Sequence, residues 1–254
     1  MPRPLAVNRH DRIRERLVEH GSATVAELAL ELDVSRETIR RDLKVLADRG
    51  EVTIVHGGAT RRASSDLPVA LRPADNANGR VAIARTATAL VEEGSVVLLD
   101  CGPTALAVAE ALASKTHLTV ITNGIANAAL LARVPGFRVV MLGGEVNAVE
   151  DGTVGIDTME MLRNYRVDIA FISAGGLASD GQPTDFSRVA AEQRKLMIAA
   201  AKRAYFLVDS SRFDCETPVR IEGVDQAAGI IVDSAPGTPL AEAVEARGLE
   251  MLVA

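Results

Sequence analysis

Four of the five cations in the run VSRETIRRDLKVLADRG, residues 34–50, crowd together: Arg36, Arg40, Arg41 and Lys44. Read at about 100° per residue, they spread over one arc of a helix, while Ile39, Leu43 and Leu46 recur at i, i+4 and i+7 on the other. Guanidinium and ammonium groups displayed this way can neutralise phosphates or fork onto guanine edges. The hydroxyls of Ser35 and Thr38, near the helix start, suit short-range contacts. Ser35 can also cap the helix, Glu37 sits near its positive end, and Gly50 can take the left-handed conformation that closes it. A solvated surface helix shows a similar charge run, so the neighbouring elements must separate the two readings.

A second constellation lies downstream. Asp100-Cys101-Gly102-Pro103-Thr104, Thr122-Asn123-Gly124, Gly143-Gly144-Glu145, Gly175-Gly176 and Asp209-Ser210-Ser211 each follow a short aliphatic run. In an open α/β sheet, ligands bind at that end of the strands. The first of these loops opens into a helix, so its backbone N–H groups and the Thr104 hydroxyl could hold a phosphate, with Gly102 allowing close approach. Any one of the five is also what an ordinary surface turn looks like; five together describe a polar pocket.

The elements that must position these residues can be read in order. Residues 9–20 form a helical pattern with Ile13 and Leu17 facing inward, ended by Gly21. Thr24-Val25-Ala26-Glu27 has the form of a capping box, and Val25, Leu28, Ala29 and Leu32 continue it as a second helix. Only Asp33 and Val34 separate that helix from the Ser35 cap, the spacing of a helix-turn-helix. Residues 51–58 alternate like a strand running into a Gly-Gly turn, a wing. Residues 61–78 carry two prolines and a serine pair without periodicity and read as a linker.

Beyond it the pattern alternates: helix 81–93, strand 96–99, helix 105–113, strand 118–121, helix 126–133, strand 138–142, strand 168–173, helix 188–201, and strands 205–208 and 229–232. Continuous aliphatic strands between amphipathic helices predict a mainly parallel sheet covered on both faces, hence an α/β fold.

Charge follows the same division. The 254 residues carry a net −6, yet residues 1–62 are net +2 and the remainder net −8, so the two regions suit different partners. Cys101 and Cys215 are far apart and no secretory pattern precedes them, which argues against a disulfide framework and for a reducing, cytoplasmic home. The four histidines lack metal-ligand spacing, so neither metal nor cofactor is expected, and no apolar run is long enough to span a bilayer.

With those residues in view, VAELALELDVSRETIRRDLKVLADRG followed by HGGA resembles the winged helix-turn-helix of DeoR-type bacterial transcriptional regulators. The resemblance implies DNA contacts from Ser35, Arg36, Thr38, Arg40 and Arg41, with Lys44 and the wing's His56 beside them. Family members usually carry an arginine two residues before that histidine; here Ile54 stands there, weakening a wing contact. The series DCGPT, TNG, LGGEV, DIAFISAGG and DSSRF resembles the sensor domain of the same family, similar in fold to ribose-5-phosphate isomerase. This implies a phosphorylated sugar as effector, contacted by Asp100, Gly102, Thr104, Thr122, Asn123, Gly143 and Gly144. The family's usual lysines fall at Arg194 and Arg212, which keep the charge but exchange an ammonium for a planar fork. Pro103 likewise replaces a threonine.

The expectation is therefore a DNA-binding regulator and not an enzyme: a winged helix over 1–60, a linker over 61–78 and an effector-sensing α/β domain over 79–254. It would act as a homo-oligomer on repeated operator sites in double-stranded DNA, as a repressor of sugar or related carbon metabolism genes. The competing reading is a sugar-phosphate isomerase with a DNA-binding appendage, for which Asp100, Asp185 or Glu192 could supply the base. The segment Ile172-Ser173-Ala174-Gly175-Gly176, where such isomerases carry carboxylates, has none, and no GxxxxGK[ST] segment points to a nucleotide hydrolase.

Overall fold

The computed structural model describes residues 9–13, 16–17, 22–48, 52–55, 57–61 and 76–254. Two compact units divide the chain, residues 1–67 and 68–254.

In the first unit, residues 9–13 and 16–17 are helical. They are followed by β1 (Ser22–Thr24), α1 (Val25–Glu31), α2 (Arg36–Asp48), β2 (Val52–Val55) and β3 (Gly58–Arg61). The capping box forms as read: Glu27 N–H donates to Thr24 Oγ1 at 3.2 Å and Thr24 N–H to Glu27 Oε2 at 2.8 Å. Ile13, Leu17, Leu28, Ile39, Leu43 and Leu46 fill one small core, so the apolar stripe of α2 is its buried face. The wing is a β2–β3 hairpin, and β1, which the sequence did not reveal, pairs antiparallel with β3 to complete a three-stranded sheet. A Cβ at Gly58 would overlap the Ala23 carbonyl, so glycine permits that pairing. His56 and Gly50 lie outside the described residues.

The second unit opens with α3 (Ala77–Ala89), capped by Asn76, whose side chain accepts from Gly79 N–H. Because β3 extends through Arg61 and α3 begins at Ala77, the stretch between elements is shorter at both ends than the linker expected over 61–78; residues 62–75 lie outside the described residues.

Next come β4 (Val96–Leu99), α4 (Pro103–Leu112), β5 (Thr119–Thr122), α5 (Ile125–Leu131) and β6 (Arg138–Met141). They are followed by β7 (Glu145–Asn147), β8 (Gly152–Val154), α6 (Ile156–Leu162) and β9 (Val167–Ser173). The chain ends with β10 (Gly176–Leu177), β11 (Pro183–Asp185), α7 (Arg188–Ala200), β12 (Ala201–Val208), β13 (Val219–Arg220), β14 (Gly229–Val232), α8 (Thr238–Ala246) and β15 (Glu250–Val253).

Seven strands make one parallel sheet in the order β15-β14-β12-β9-β4-β5-β6. Alternate residues serve opposite faces. Leu98, Ile121, Ile172 and Phe206 pack with Leu162, Met197 and Val244 of α6, α7 and α8, whereas Val97, Leu99, Phe171 and Leu207 pack with Ile83, Leu112 and Leu131 of α3, α4 and α5. Burial on both faces is why the strands read as unbroken aliphatic runs. The sequence reading missed β15, α6, α8, the β7–β8 hairpin and the small antiparallel sheet β10-β11-β13. It also started β12 four residues late, because Lys202 and Arg203 interrupt its aliphatic run. Among the described residues no helix is long and apolar enough to cross a membrane.

The sheet order fixes where a site can form. From β4 the chain moves to β5 and β6 on one side, then returns to lay β9 on the other side of β4. The reversal leaves a crevice at the C-terminal ends of β4 and β9, where ligands bind in open α/β sheets.

Candidate functional site

On α2, the buried stripe turns Arg36, Arg40, Arg41 and Lys44 outward, and all four side chains are exposed. Ser35 caps the helix as read, its Oγ accepting from Thr38 N–H at 3.1 Å, and the Ser35 and Thr38 hydroxyls lie 2.9 Å apart. Glu37 reaches Arg40 at 3.5 Å and Arg41 at 3.7 Å; such exposed pairs are weak and yield readily to a phosphate. Ile54 is exposed on the wing.

Behind the basic face stands a residue the sequence reading passed over. Asp42 is buried, receives Arg9 through Nε at 2.7 Å and Nη2 at 2.9 Å, and lies 3.1 Å from His10 Nε2. The hydrogen bond to Asp42 raises the Arg9 pKa, against a smaller opposing effect of burial. This fork ties α2 to the first helical segment and so fixes the direction in which the outer cations point. The signal was available: Asp42 follows Ile39 by three positions, which puts it beside the apolar stripe.

In the second unit, Asp100 directly follows β4 at the switch point. Its Oδ1 accepts from Cys101 N–H at 2.8 Å; its Oδ2 accepts from Ser173 N–H at 3.0 Å, across the crevice, and from Arg194 Nε at 2.9 Å. Arg194, on α7 and 4% exposed, also donates through Nη1 to Asp185 and through Nη2 to Glu150 at 3.5 Å. Burial alone would lower its pKa, but Asp100, Asp185 and Glu150 outweigh that and hold it well above the usual value. Burial, followed by the Asp100 charge, pushes the Cys101 thiol up, so it is a packed, uncharged group.

The neighbouring loops are laced into the same junction. Thr122 Oγ1 accepts from Gly124 N–H at 3.0 Å and from Asn127 Nδ2 at 3.2 Å, while Asn127 also donates to the Asp100 carbonyl at 2.7 Å. The carbonyl of Asn123 accepts from Thr153 N–H at 2.8 Å, binding β8 to the end of β5. Gly102 has φ +100°, and a Cβ there would lie 3.6 Å from Ser173 Oγ, which itself donates to the Cys101 carbonyl at 2.8 Å. Gly102 precedes α4 with no side-chain cap, so the first N–H groups of that helix, beside Thr104, are not satisfied by a capping side chain.

Gly143 and Gly144 belong to the turn into β7: the Gly143 carbonyl accepts from Thr158 Oγ1 at 2.5 Å, and a Cβ at Gly144 (φ +135°) would overlap that hydroxyl. Arg212 ends a short 3-10 turn, Ser210–Arg212, after β12, two strands from β4 and so roughly 10 Å away by normal strand spacing. That turn is anchored differently: Ser210 N–H and Oγ donate to Asp233 at 2.6 and 2.9 Å, and Asn76 Nδ2 donates to Asp233 at 2.7 Å and Ser210 at 3.0 Å.

The junction thus joins Asp100, Gly102, Thr122, Asn123 and Arg194. It adds Asp185, Glu150, Asn127 and Thr153, which were not among the expected site residues; Asp185 had been noted only as a possible base. Arg194 is the more telling case, for each of its three guanidinium nitrogens donates to a carboxylate.

Two family profiles match the chain. One, described as DeoR-like helix-turn-helix domain, covers residues 9–65; the other, described as DeoR C terminal sensor domain, covers residues 75–234. Among curated relatives, the HTH-type transcriptional repressor CsqR of Escherichia coli is 31% identical, over 96% of this chain and 94% of its own. The glycerol-3-phosphate regulon repressor of Escherichia coli is 29% identical over 90% of this chain and 91% of its own. The L-fucose operon activator of Haemophilus influenzae is 30% identical over 85% and 87%. Among solved structures, ribose 5-phosphate isomerase A from Methanocaldococcus jannaschii aligns over 55% of each chain at 21% identity, with a TM-score of 0.40.

Proposed function

The chain belongs to the DeoR family of transcriptional regulators, and from that premise we propose that it represses genes of sugar or related carbon metabolism under the control of a phosphorylated sugar. The effector is held at the C-terminal ends of β4, β5 and β9, and α2 reads the operator.

The observation that carries this reading is the Asp100 junction at the switch point, where the backbone N–H of Ser173 at the end of β9 and the Arg194 side chain of α7 meet the buried carboxylate that follows β4. A ligand that disturbs it acts on three elements at once. The anionic group falls to the start of α4, where uncapped N–H groups and the Thr104 hydroxyl meet the positive end of the helix. Arg194 positions Asp100 and Asp185 and leaves the phosphate to the backbone. On the DNA side, Arg36, Arg40, Arg41 and Lys44 supply phosphate or guanine contacts, and Ser35 and Thr38 approach closely at the helix start. One such helix covers a short half-site, so a homo-oligomer on repeated sites follows. Relatives named for a glycerol-3-phosphate regulon and an L-fucose operon agree with a sugar-related ligand, and they include both a repressor and an activator.

Regulation requires only that the effector bind the DNA-competent and DNA-incompetent arrangements unequally, with a typical coupling of about 1–3 kcal/mol. The test is fluorescence anisotropy of the full chain on DNA from upstream of its own gene, with and without a panel of sugar phosphates. One member of the panel should shift the binding midpoint by roughly 5- to 150-fold. Retained DNA binding that no sugar phosphate alters would remove the effector assignment.

The isomerase alternative gains nothing from the geometry. Asp100 and Asp185 both face the Arg194 guanidinium, and Glu192 is exposed.

A further inference from the structure

Two amide oxygens in the sensor unit are shut off from solvent with no hydrogen-bond partner among the described residues: Asn123 Oδ1 and Gln193 Oε1. The residues are 1% and 2% exposed. Leaving a buried acceptor unpaired is costly, and neighbouring pairs of such groups require a reason.

Amide orientation does not remove the problem. Asn123 Nδ2 and Gln193 Nε2 each donate to the Thr153 carbonyl at 3.4 Å. Turning either amide over would set oxygen against oxygen, so each side chain is obliged to point its own oxygen away from that carbonyl. The two long donations to a single carbonyl oxygen are weak compensation for two empty acceptors.

The surroundings say what is missing. Asn123 follows β5 at the switch-point edge, Gln193 precedes Arg194 on α7, and Thr153 lies on β8, whose hairpin brings Glu150 to Arg194. Asp100, Asp185 and Glu150 are acceptors as well, and Arg194, the one cation among them, spends each of its three nitrogens on one of those carboxylates. A corner made of acceptors takes a ligand made of donors. We propose that Asn123 and Gln193 form a hydroxyl-reading subsite: their amide oxygens accept from hydroxyl groups of a polyhydroxy ligand, and Gln193 sets the preference among ligands by their hydroxyls. The proposal rests on the strand-end effector site argued above and assigns the end of the ligand remote from its anionic group. Both amide nitrogens rest on the Thr153 carbonyl of β8, so the side chains are freed to meet the ligand when the β7–β8 hairpin yields. The Glu150 contact, at 3.5 Å the longest ion pair to Arg194, is the release point.

The test measures, by calorimetry on the full chain, the binding of inorganic phosphate, glycerol 3-phosphate, ribose 5-phosphate and 2-deoxyribose 5-phosphate. Wild type should bind at least one hydroxyl-bearing phosphate well above inorganic phosphate. Gln193→Met, of similar volume but without an acceptor, should lose about tenfold in affinity for the preferred compound, the scale of one hydrogen bond, with phosphate binding unchanged. Its melting temperature without ligand should equal or exceed that of wild type, because an unpaired buried acceptor has been removed.

Equal losses for phosphate and for the polyol phosphates would overturn the proposal. So would unchanged ligand binding with a lowered melting temperature, which would make the amide a structural group. The wild-type series alone is also decisive: if phosphate binds but added hydroxyls bring no gain, the subsite falls and the strand-end site stands. If no probe binds, the strand-end site falls and takes the subsite with it.

Discussion

Arg194 receives Asp100 at Nε, Asp185 at Nη1 and Glu150 at Nη2, so its charge is more than balanced before any ligand arrives. Removing that cation would leave buried carboxylates facing each other. Arg194→Met should therefore lower the unfolding free energy of the sensor unit by about 3–5 kcal/mol in urea titrations, whereas Arg194→Lys, which keeps the charge but not the fork, should lose less. On the outer face of α2, Arg40 and Arg41 are tied among the described residues only to Glu37. Arg40→Ala and Arg41→Ala should each weaken operator binding and reduce the slope of log affinity against log salt by about 1, read by anisotropy across a salt series. Unchanged binding in both would remove α2 from the interface. Here the sequence was legible in one direction only. A cation on an apolar stripe reads the same whether it points out or is buried, and only the carboxylate 94 positions earlier in the chain makes Arg194 internal.

Among the elements, most strands of the parallel sheet declared themselves as aliphatic runs because burial on both faces removes polar residues, with Lys202 and Arg203 of β12 as the exception. The short ones did not. β7, β8 and β10 hold two or three residues each, too few for a period, and α6 and α8 are brief helices after glycine. Yet the β7–β8 hairpin carries Thr153 and brings Glu150 to Arg194, so the least legible element joins the Asp100 junction. Its entry depends on Gly144, where a side chain would meet Thr158 Oγ1 and the Val154 carbonyl at positive φ. Gly144→Ala should dislodge that turn, raising amide exchange in 145–154 well above that of β4 and β9 in the same protein. Equal protection in wild type and variant would show that the turn tolerates the methyl group. The capping box offers a calibration in the other unit: Thr24→Ala should destabilise it by about 1 kcal/mol, measured by urea unfolding.

At the scale of the whole molecule, the two-unit division was legible from charge and from the change of period, and the topology was not. Which strand lies beside β4 depends on how the chain returns from β6, and a list of strands does not state it. Stability of the second unit carries a pH signature from Asp233. Burial would raise its pKa, but hydrogen bonds from Asn76 and Ser210 together prevail and lower it. A carboxylate depressed on folding contributes fully above its unfolded pKa, near 3.9, and the contribution disappears as pH falls through the lower folded value. The stability difference between wild type and Asp233→Asn, measured in urea at neutral and at strongly acidic pH, should therefore shrink on acidification.

Asn76 adds a geometric consequence. It begins the second unit in a left-handed conformation (φ 58°), and its amide is shared between the turns that follow β12 and β14. Those turns stand on the same rim of the sheet as Asp100. Asn76 thus fastens the start of the second unit to the rim of the sheet that bears Asp100 and not to the opposite edge.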